Sequence, residues 1–264
     1  MLRDYPQIGE FSYIPAEGLA TGVLAGTVRA MTAAGQLVDF KADRPGSSAL
    51  RQRLATALAP ARLSWLALEH GRRIVDLRPD TAPTAGSSDA VTIRADAALL
   101  QHSGLAVAFT TADCLPIVLS AGWPQAAAVL AVHAGWRGLA AGILEAAVQH
   151  LTAAAGLVAN QCQAWIGPGI DQANYEIATD TQQQLLARPA VAAAAASSRC
   201  FTPSRPEHCL ADLTALAVLI LQDQGLPTDQ IQTSGLSTFT DRTLHSARRD
   251  GDSSGRMANF VVLL

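Results

Sequence analysis

The chain has 264 residues, of which 49% are hydrophobic and only 16% are charged, and its formal net charge is −3. This composition can supply a sizeable core, and it lacks the excess of basic residues that binding to a nucleic acid backbone requires. No apolar run approaches the length of a membrane span, and the N-terminus lacks the apolar stretch of a signal peptide. We therefore predict a cytoplasmic protein that acts on a small molecule.

Apolar periodicity and turn residues predict strands and helices in irregular alternation, after a weakly patterned portion at residues 1–60. Helices are predicted at 49–58, 139–155, 179–198, which ends in an alanine-rich stretch, and 212–224, with Asp212 as N-cap and Gly225 as stop signal. Strands are predicted at 105–109, 127–131, 163–166 and 260–264, and as a pair within 63–77 around the turn Glu69-His70-Gly71. This order indicates mixed α and β layers in a single domain.

The segment Thr111-Ala112-Asp113-Cys114-Leu115-Pro116 follows the first of two strands predicted to be buried. An unpaired cysteine on a strand is usually a small buried hydrophobe, but a carboxylate beside it needs a partner if it is to stay charged. Pro116 is expected to end the strand pairing, which leaves Asp113 and Cys114 at a strand terminus facing a cleft. The four cysteines show no CxxC spacing, so we expect reduced thiols.

His133 lies at the end of the second buried strand, in Ala131-Val132-His133-Ala134-Gly135-Trp136-Arg137-Gly138. One interpretation is a core histidine that bonds a backbone carbonyl. The two glycines favour another, because a glycine turn at a helix N-terminus exposes backbone N–H groups, and Arg137 adds a positive charge. Arg137 is therefore a candidate ligand for phosphate.

Two kinds of chemistry fit the thiol and the imidazoles. His70, Cys114 and His133 could supply three zinc ligands and leave a fourth position open, as in catalytic zinc sites. Alternatively, Cys114 could be the nucleophile of a cysteine hydrolase with His133 as its base. The two uses exclude each other at a single thiolate.

Two further segments carry candidate binding residues. Arg248, Arg249 and Arg256 lie in a stretch rich in glycine and serine near the C-terminus, where they could capture an anionic group or simply be solvated. Glu176 follows the loop Gly167-Pro168-Gly169, which could shape a binding site, although this carboxylate could also face water.

Several blocks of the sequence together resemble one known family. They are Thr111–Pro116, Ala131–Gly138, Ile166–Ile170 with Tyr175-Glu176, Asp212-Leu213, and Arg248–Gly251 with Gly255–Ala258. The chain resembles the multi-copper polyphenol oxidoreductase or laccase-domain family (YfiH-like), whose members are usually described as purine nucleoside phosphorylases. The resemblance is clear from residue 66 onward and faint in the divergent portion 1–60.

The resemblance implies an α+β fold, a single-domain α/β/β/α sandwich with mixed sheets that spans residues 1–264. It implies zinc held by His70, Cys114 and His133, with a purine nucleoside and phosphate as small-molecule partners. The implied activity is phosphorolysis of adenosine, inosine, guanosine and methylthioadenosine, together with adenosine deamination. Zinc could act as a Lewis acid or activate water. Asp113 would orient a ligand or move a proton, so the expected catalytic residues are Asp113, Cys114 and His133.

One departure from the family bears on these expectations. The family's N-terminal Thr-Thr-Arg-x-Gly-Gly block is absent, and Ala30–Gln36 stands in its place without the arginine. Arg29 and Arg51 are candidates to replace it, and a divergent, non-catalytic zinc-binding protein is a further alternative. Phenol oxidation at a four-copper centre is disfavoured because the 6 histidines include no HxH pair, although copper could occupy the zinc site. We expect a monomer or a dimer.

Overall fold

Two mixed β-sheets form the middle layers of the protein, whose computed structural model describes residues 6–31, 38–85, 92–189, 191–192 and 200–264. The larger sheet contains, in spatial order, β1 (Gln7–Ile8), β2 (Phe11–Pro15), β3 (Val23–Val28), β16 (Met257–Leu263), β8 (Leu105–Thr111), β4 (Arg62–Ala67) and β6 (Thr92–Arg94). The smaller sheet contains β15 (Ile231–Thr233), β11 (Cys162–Ile166), β9 (Leu115–Ala121), β10 (Ala128–Ala134), β7 (Ala97–Leu100) and β5 (Ile74–Leu77). A separate three-stranded sheet has the order β12 (Glu176–Ala178), β14 (His208–Ala211), β13 (Phe201–Pro203).

Helices cover the outer faces of both central sheets. The helix α1 (Ser47–Ala57) packs on the larger sheet through Leu54. The smaller sheet is covered by α2 (Trp136–Ala141), α3 (Ile143–Ala155), α4 (Thr179–Leu186) and α5 (Leu213–Asp223), and a short helix, α6 (Ala247–Asp250), precedes β16. The predicted α+β class and the α/β/β/α sandwich are confirmed. None of the described helices is long and apolar enough to cross a membrane.

The strand β8 shows why the central strands are continuous apolar runs. Leu105, Val107 and Phe109 belong to the core between the two sheets, together with residues of β9 and β10. The alternate residues Ala106 and Ala108 belong to the core beneath α1. Because both faces of this strand are covered, the strand carries no polar alternation. Alanines on the α1 side leave room for the aromatic side chains of that core.

Some predicted elements differ in the structure. The helix predicted at 139–155 is two helices, α2 and α3, because Gly142 between them has a φ of 85°, a left-handed conformation that glycine tolerates best. The predicted strand pair within 63–77 is wrong: β4 pairs with β6 and β8, whereas β5 pairs with β7 in the other sheet. Pro116 does not end the strand pairing, since it lies within β9 opposite His133. The helix predicted from residue 179 is described to Leu186. Of the alanine-rich stretch 190–196 only residues 191–192 are described, and most of 30–36 lies outside the described residues.

Three connections carry the chain from the larger sheet to the smaller one. They are residues 68–73 between β4 and β5, residues 95–96 between β6 and β7, and residues 112–114 between β8 and β9. His70, Asp96 and Cys114 lie on these three connections, one on each. The sandwich therefore gathers side chains from distant parts of the sequence in the space where its two sheets are joined.

Candidate metal centre and cavity

Three side chains converge where the sheets are joined. The ligand atoms of His70, Cys114 and His133 all lie within 4.8 Å of one another. The antiparallel register of β9 and β10 pairs Leu115 with Ala134, so the next residues along, Cys114 and Gly135, face each other one step beyond the strands, and the Cys114 thiol hydrogen-bonds His133. His70 reaches the same point from its exposed turn, with its ring edge-on to that of His133 at a centroid distance of 4.9 Å. We refer to these residues as the His70–Cys114–His133 triad.

Gly135 allows the close approach of the thiol. Its backbone is extended, with φ −86° and ψ 172°, so any residue could adopt this conformation. A Cβ atom on Gly135 would nevertheless lie only 2.8 Å from Sγ of Cys114 and 3.9 Å from Nε2 of His133. The absence of a side chain is therefore what the triad requires at this position.

Asp96 is a residue of this site that the sequence analysis missed. The side chain is fully buried, and its Oδ1 lies 3.0 Å from Nδ1 of His133. The carboxylate also accepts hydrogen bonds from the backbone N–H groups of Glu69, His70 and Gly71, at 3.2, 2.8 and 2.8 Å. Burial by itself would raise the pKa of Asp96, but these hydrogen bonds outweigh it and hold the pKa below its ordinary value. A lone carboxylate directly before an apolar strand is the signal that could have identified it.

The thiol and the buried imidazole stabilise each other as an ion pair. Burial by itself would raise the pKa of Cys114, but hydrogen bonds and positive charge from His133 and His70 lower it to about 6. Burial would lower the pKa of His133, but hydrogen bonds with Asp96 and Cys114 and their negative charge raise it to about 9. In the metal-free protein at neutral pH, Cys114 is therefore a thiolate, the form that binds metals and attacks electrophiles.

The metal-free protein is expected to show selective alkylation of Cys114 by iodoacetamide. Because only the thiolate reacts, the rate should rise with pH and reach half its maximum near pH 6, where the pKa of Cys114 lies. Cys162, whose pKa burial raises to about 11, is the internal control and should react far more slowly. Peptide mass spectrometry after short exposures separates the two thiols. A half-maximal rate near the ordinary thiol pKa would contradict the ion pair.

Asp113 adopts an uncommon backbone conformation beside the thiol. Its φ is 93°, and its carboxylate accepts hydrogen bonds from the hydroxyl of Thr238 at 2.6 Å and from the backbone N–H of Arg248 at 2.7 Å. These contacts hold the start of α6 against the turn that carries Cys114. The Asp113 carboxylate therefore has the hydrogen-bond partners that a charged group at the end of a buried strand needs.

A cavity of about 450 Å³ opens onto the triad. Two arginines, Arg51 and Arg256, line it together with all three triad residues. The rest of the wall consists of small, apolar or hydroxyl-bearing residues: Ala42, Leu66, Ala67, Leu68, Thr92, Thr110, Thr111, Ala112 and Ala247. Side chains that could hold a metal ion and two arginines thus line one cavity.

Arg51 is the N-terminal arginine that reaches this cavity. Its guanidinium lies over the Trp65 ring at 4.3 Å and donates to the carbonyl of Phe40 at 3.2 Å. Its Nε is buried and has no hydrogen-bond partner among the described residues. Burial lowers the pKa of Arg51, which reflects the cost of desolvating this charge. The other N-terminal candidate, Arg29, is buried elsewhere against Asp241 and Thr243.

The remaining predicted binding residues lie in different surroundings. Arg137 is exposed, with its guanidinium 4.5 Å from the ring of Trp136. Arg248 is also exposed; it covers the Tyr175 ring at 5.0 Å and donates to the backbone carbonyl of Glu176. The Arg249 guanidinium donates to the carboxylate of Asp250 and to the backbone carbonyls of Thr238, Phe239, Asp241 and Leu244. The Glu176 carboxylate accepts from Arg205 at 2.8 Å and from Ser204 at 2.9 Å.

Comparison with known proteins identifies the family. Residues 41–264 match the sequence model of the family described as multi-copper polyphenol oxidoreductase laccase. The chain belongs to this laccase family. It is 37% identical over 213 residues to a protein of Xylella fastidiosa (strain Temecula1) named purine nucleoside phosphorylase, covering 80% of this chain and 76% of that one. It is 34% identical over 218 residues to purine nucleoside phosphorylase YfiH of Escherichia coli K12, covering 81% and 79% of the two chains.

Solved structures of similar proteins share the fold of this laccase-family chain. YlmD from Geobacillus stearothermophilus superimposes with a TM-score of 0.82 at 24% identity, covering 98% of both chains. The Neisseria meningitidis protein NMB0706 superimposes with a TM-score of 0.77 at 26% identity, covering 95% of this chain and 98% of that one. The layered sandwich is thus common to relatives whose sequences have diverged widely.

The donors of this laccase-family protein fit a single metal ion. Two imidazole nitrogens and one thiolate within 4.8 Å suit zinc or copper, and His133 has the carboxylate partner that metal-binding histidines usually have. Within the described part of the chain, no other group of three or more histidine, cysteine or acidic side chains is arranged to hold a metal. The described residues therefore contain one group of side chains that could hold a metal ion.

Proposed function

We propose that the protein is a zinc-dependent purine nucleoside phosphorylase with adenosine deaminase activity. Adenosine, inosine, guanosine and methylthioadenosine are the proposed substrates. The observation that carries the proposal is one cavity of about 450 Å³ lined by the His70–Cys114–His133 triad and by Arg51 and Arg256. The names of the Xylella and Escherichia relatives support the phosphorylase part of this proposal.

Arg51 and Arg256 are the proposed phosphate ligands. Phosphorolysis needs a bound phosphate, and guanidinium groups donate paired hydrogen bonds that match phosphate oxygens. The buried Nε of Arg51 is a donor without a partner among the described residues, and such a donor gains most from a ligand oxygen. Arg256 is held in place because its backbone N–H donates to Asp39 at 2.9 Å. The apolar part of the wall would exclude water from the reacting groups.

His70, Cys114 and His133 would hold the zinc, which would supply a Lewis acid for the departing purine and for the deamination of adenosine. Asp113 is proposed to act at the turn that carries Cys114, where it fixes the thiol and the start of α6 through Thr238 and Arg248. This residue positions the site rather than touching the cavity. Arg137 and Arg248, both exposed, would steer an anionic substrate toward the opening.

The test is turnover of the four nucleosides with and without phosphate. Free base should appear only with phosphate, and an equal amount of sugar 1-phosphate should form: ribose 1-phosphate from adenosine, inosine and guanosine, and 5-methylthioribose 1-phosphate from methylthioadenosine. A chelator should abolish both products until zinc is returned. Conversion of adenosine to inosine should need zinc but not phosphate. A zinc-loaded protein that releases no base from any of the four nucleosides would refute the phosphorylase and favour the non-catalytic zinc-binding protein.

The thiolate–imidazolium pair supports a second candidate, a cysteine hydrolase. In that case Cys114 attacks and His133 donates the proton to the leaving group. Zinc discriminates between the candidates because its effects have opposite signs: it should activate the phosphorylase and inhibit the hydrolase. If the metal-free protein hydrolyses esters and iodoacetamide abolishes this activity, the hydrolase would be established.

Replacing Arg51 with methionine is expected to raise the KM for phosphate about tenfold or more, because a charge-assisted hydrogen bond is worth about 1.5–3 kcal/mol. The methionine keeps much of the apolar contact with Trp65. Arg53→Met on the same helix is the matched control, since Arg53 is exposed and pairs with Glu10. Initial rates at varied phosphate measure both variants. An equal KM for phosphate in Arg51→Met and Arg53→Met would remove Arg51 from the phosphate site.

A further inference from the structure

We propose that Asp96 is a positioning residue that fixes both imidazole ligands of the metal through one carboxylate. The inference rests on the proposed metal site and goes beyond it, because Asp96 touches neither the metal position nor the cavity wall. Its Oδ1 accepts hydrogen bonds from Nδ1 of His133 and from the backbone N–H of His70, and its Oδ2 accepts one from the backbone N–H of Gly71. Two ligands far apart in the sequence therefore share a single buried anchor.

On His133, Asp96 selects the nitrogen that is free to bind. An ionised carboxylate only accepts hydrogen bonds, so Nδ1 of His133 must carry a proton at the 3.0 Å contact. In the neutral ring this leaves the lone pair on Nε2. Nε2 is also the nitrogen on the side of the thiol, because His133 hydrogen-bonds Cys114 while its Nδ1 is engaged by Asp96. A Cβ on Gly135 would lie near both atoms, 2.8 Å from Sγ of Cys114 and 3.9 Å from Nε2. Asp96 thus sets both the tautomer and the orientation of this ligand.

On His70, Asp96 acts through the backbone. His70 has a φ of 58°, a conformation that residues other than glycine seldom adopt without support. The support is the convergence of three successive N–H groups, from residues 69, 70 and 71, on the Asp96 carboxylate. The His70 side chain is exposed and contacts the ring of His133 edge-on, so the backbone turn is the main constraint on its direction.

The experiment compares Asp96→Asn with Asp76→Asn. The asparagine has nearly the same shape as the aspartate, but its NH₂ group cannot accept a hydrogen bond. In one orientation of the amide the NH₂ group faces the N–H of Gly71, and in the other it faces the donors at the Oδ1 position, including Nδ1–H of His133. Asp76 is the matched control: it also bonds a histidine, with 2.6 Å to Nε2 of His150, but it is 44% exposed on the surface. Zinc dissociation constants are measured by competition with a chromophoric chelator, in the absence of substrate. We expect binding about 10- to 100-fold weaker in Asp96→Asn and unchanged in Asp76→Asn.

A second measurement needs no variant, in case Asp96→Asn fails to fold. Long-range ¹H–¹⁵N correlation spectra of the zinc-loaded wild type should show the proton of His133 on Nδ1. A proton on Nε2, or zinc affinity retained in Asp96→Asn, would overturn the inference, as would a wild type that binds no zinc. Failure of phosphorolysis is a separate result. If zinc binds more weakly to Asp96→Asn but the wild type turns over none of the nucleosides, the positioning role of Asp96 stands and only the proposed activity is refuted.

Discussion

Replacing Cys114 with alanine is expected to reduce bound zinc from about one ion per chain to a small fraction of that, and phosphorolysis to background. The thiolate is the charged donor of the triad, and its pKa of about 6 means that it needs little free energy to deprotonate for the metal. The two imidazoles that remain would form a weak neutral pair. Elemental analysis after dialysis, followed by adenosine turnover on the same sample, measures both effects.

Cys209→Ala is the control for this result. Cys209 is also a free, buried cysteine, but it lies on β14 in the separate three-stranded sheet. It should retain zinc and activity, so loss in both variants would point to general damage rather than to the metal site. Full zinc content and full turnover in Cys114→Ala would exclude Cys114 as a ligand and as a nucleophile.

The second large effect is expected from Gly135→Ala. The new methyl group would lie 2.8 Å from Sγ of Cys114, closer than Cβ atoms come to their neighbours, so the thiol must move. A displacement of about 1 Å in an active site can cost on the order of 100-fold in rate. Because the backbone of Gly135 is extended, the alanine itself brings no conformational strain, and the melting temperature of the metal-free protein should change little.

Gly71→Ala separates this steric effect from substitution of glycine in general. A Cβ on Gly71 would meet Asp96 Oδ2 at 3.6 Å, an ordinary van der Waals contact in the same site. Zinc affinity, turnover and thermal unfolding are compared in the two variants. If Gly135→Ala binds zinc and turns over adenosine as well as Gly71→Ala does, the thiol is not confined as the structure indicates.

The triad was accessible from sequence because each member lies in a local pattern that signals a strand end. An imidazole before a glycine marks His70, and a polar residue after an apolar run marks Cys114. The only local signal at Asp96 is a carboxylate directly before an apolar strand, and its importance comes from four donors contributed by two other segments. Arg51 was one of two candidates from the sequence, and only the placement of α1 over the sheet, next to Trp65, distinguishes it from Arg29.

The errors in the fold prediction have a related cause. A turn at 69–71 between two strands predicts a hairpin locally, but which sheet each strand joins depends on pairing partners elsewhere in the chain. Here β4 joins β8 and β5 joins β7, so the turn bridges two sheets instead of closing one. The break at Gly142 was likewise invisible to periodicity, because the alanine-rich residues on both sides favour helix.

The three connections between the sheets would give a bound metal a mechanical role in addition to a chemical one. An ion held by His70, Cys114 and His133 would cross-link two of these connections to β10 of the smaller sheet, so this end of the sandwich could not open without releasing it. Binding to the folded state alone adds about 2.7 kcal/mol to the free energy of unfolding when free metal exceeds its dissociation constant about 100-fold. Metal shortage would then expose the chain to proteolysis, and the amount of protein in the cell, as well as its activity, would follow the metal supply.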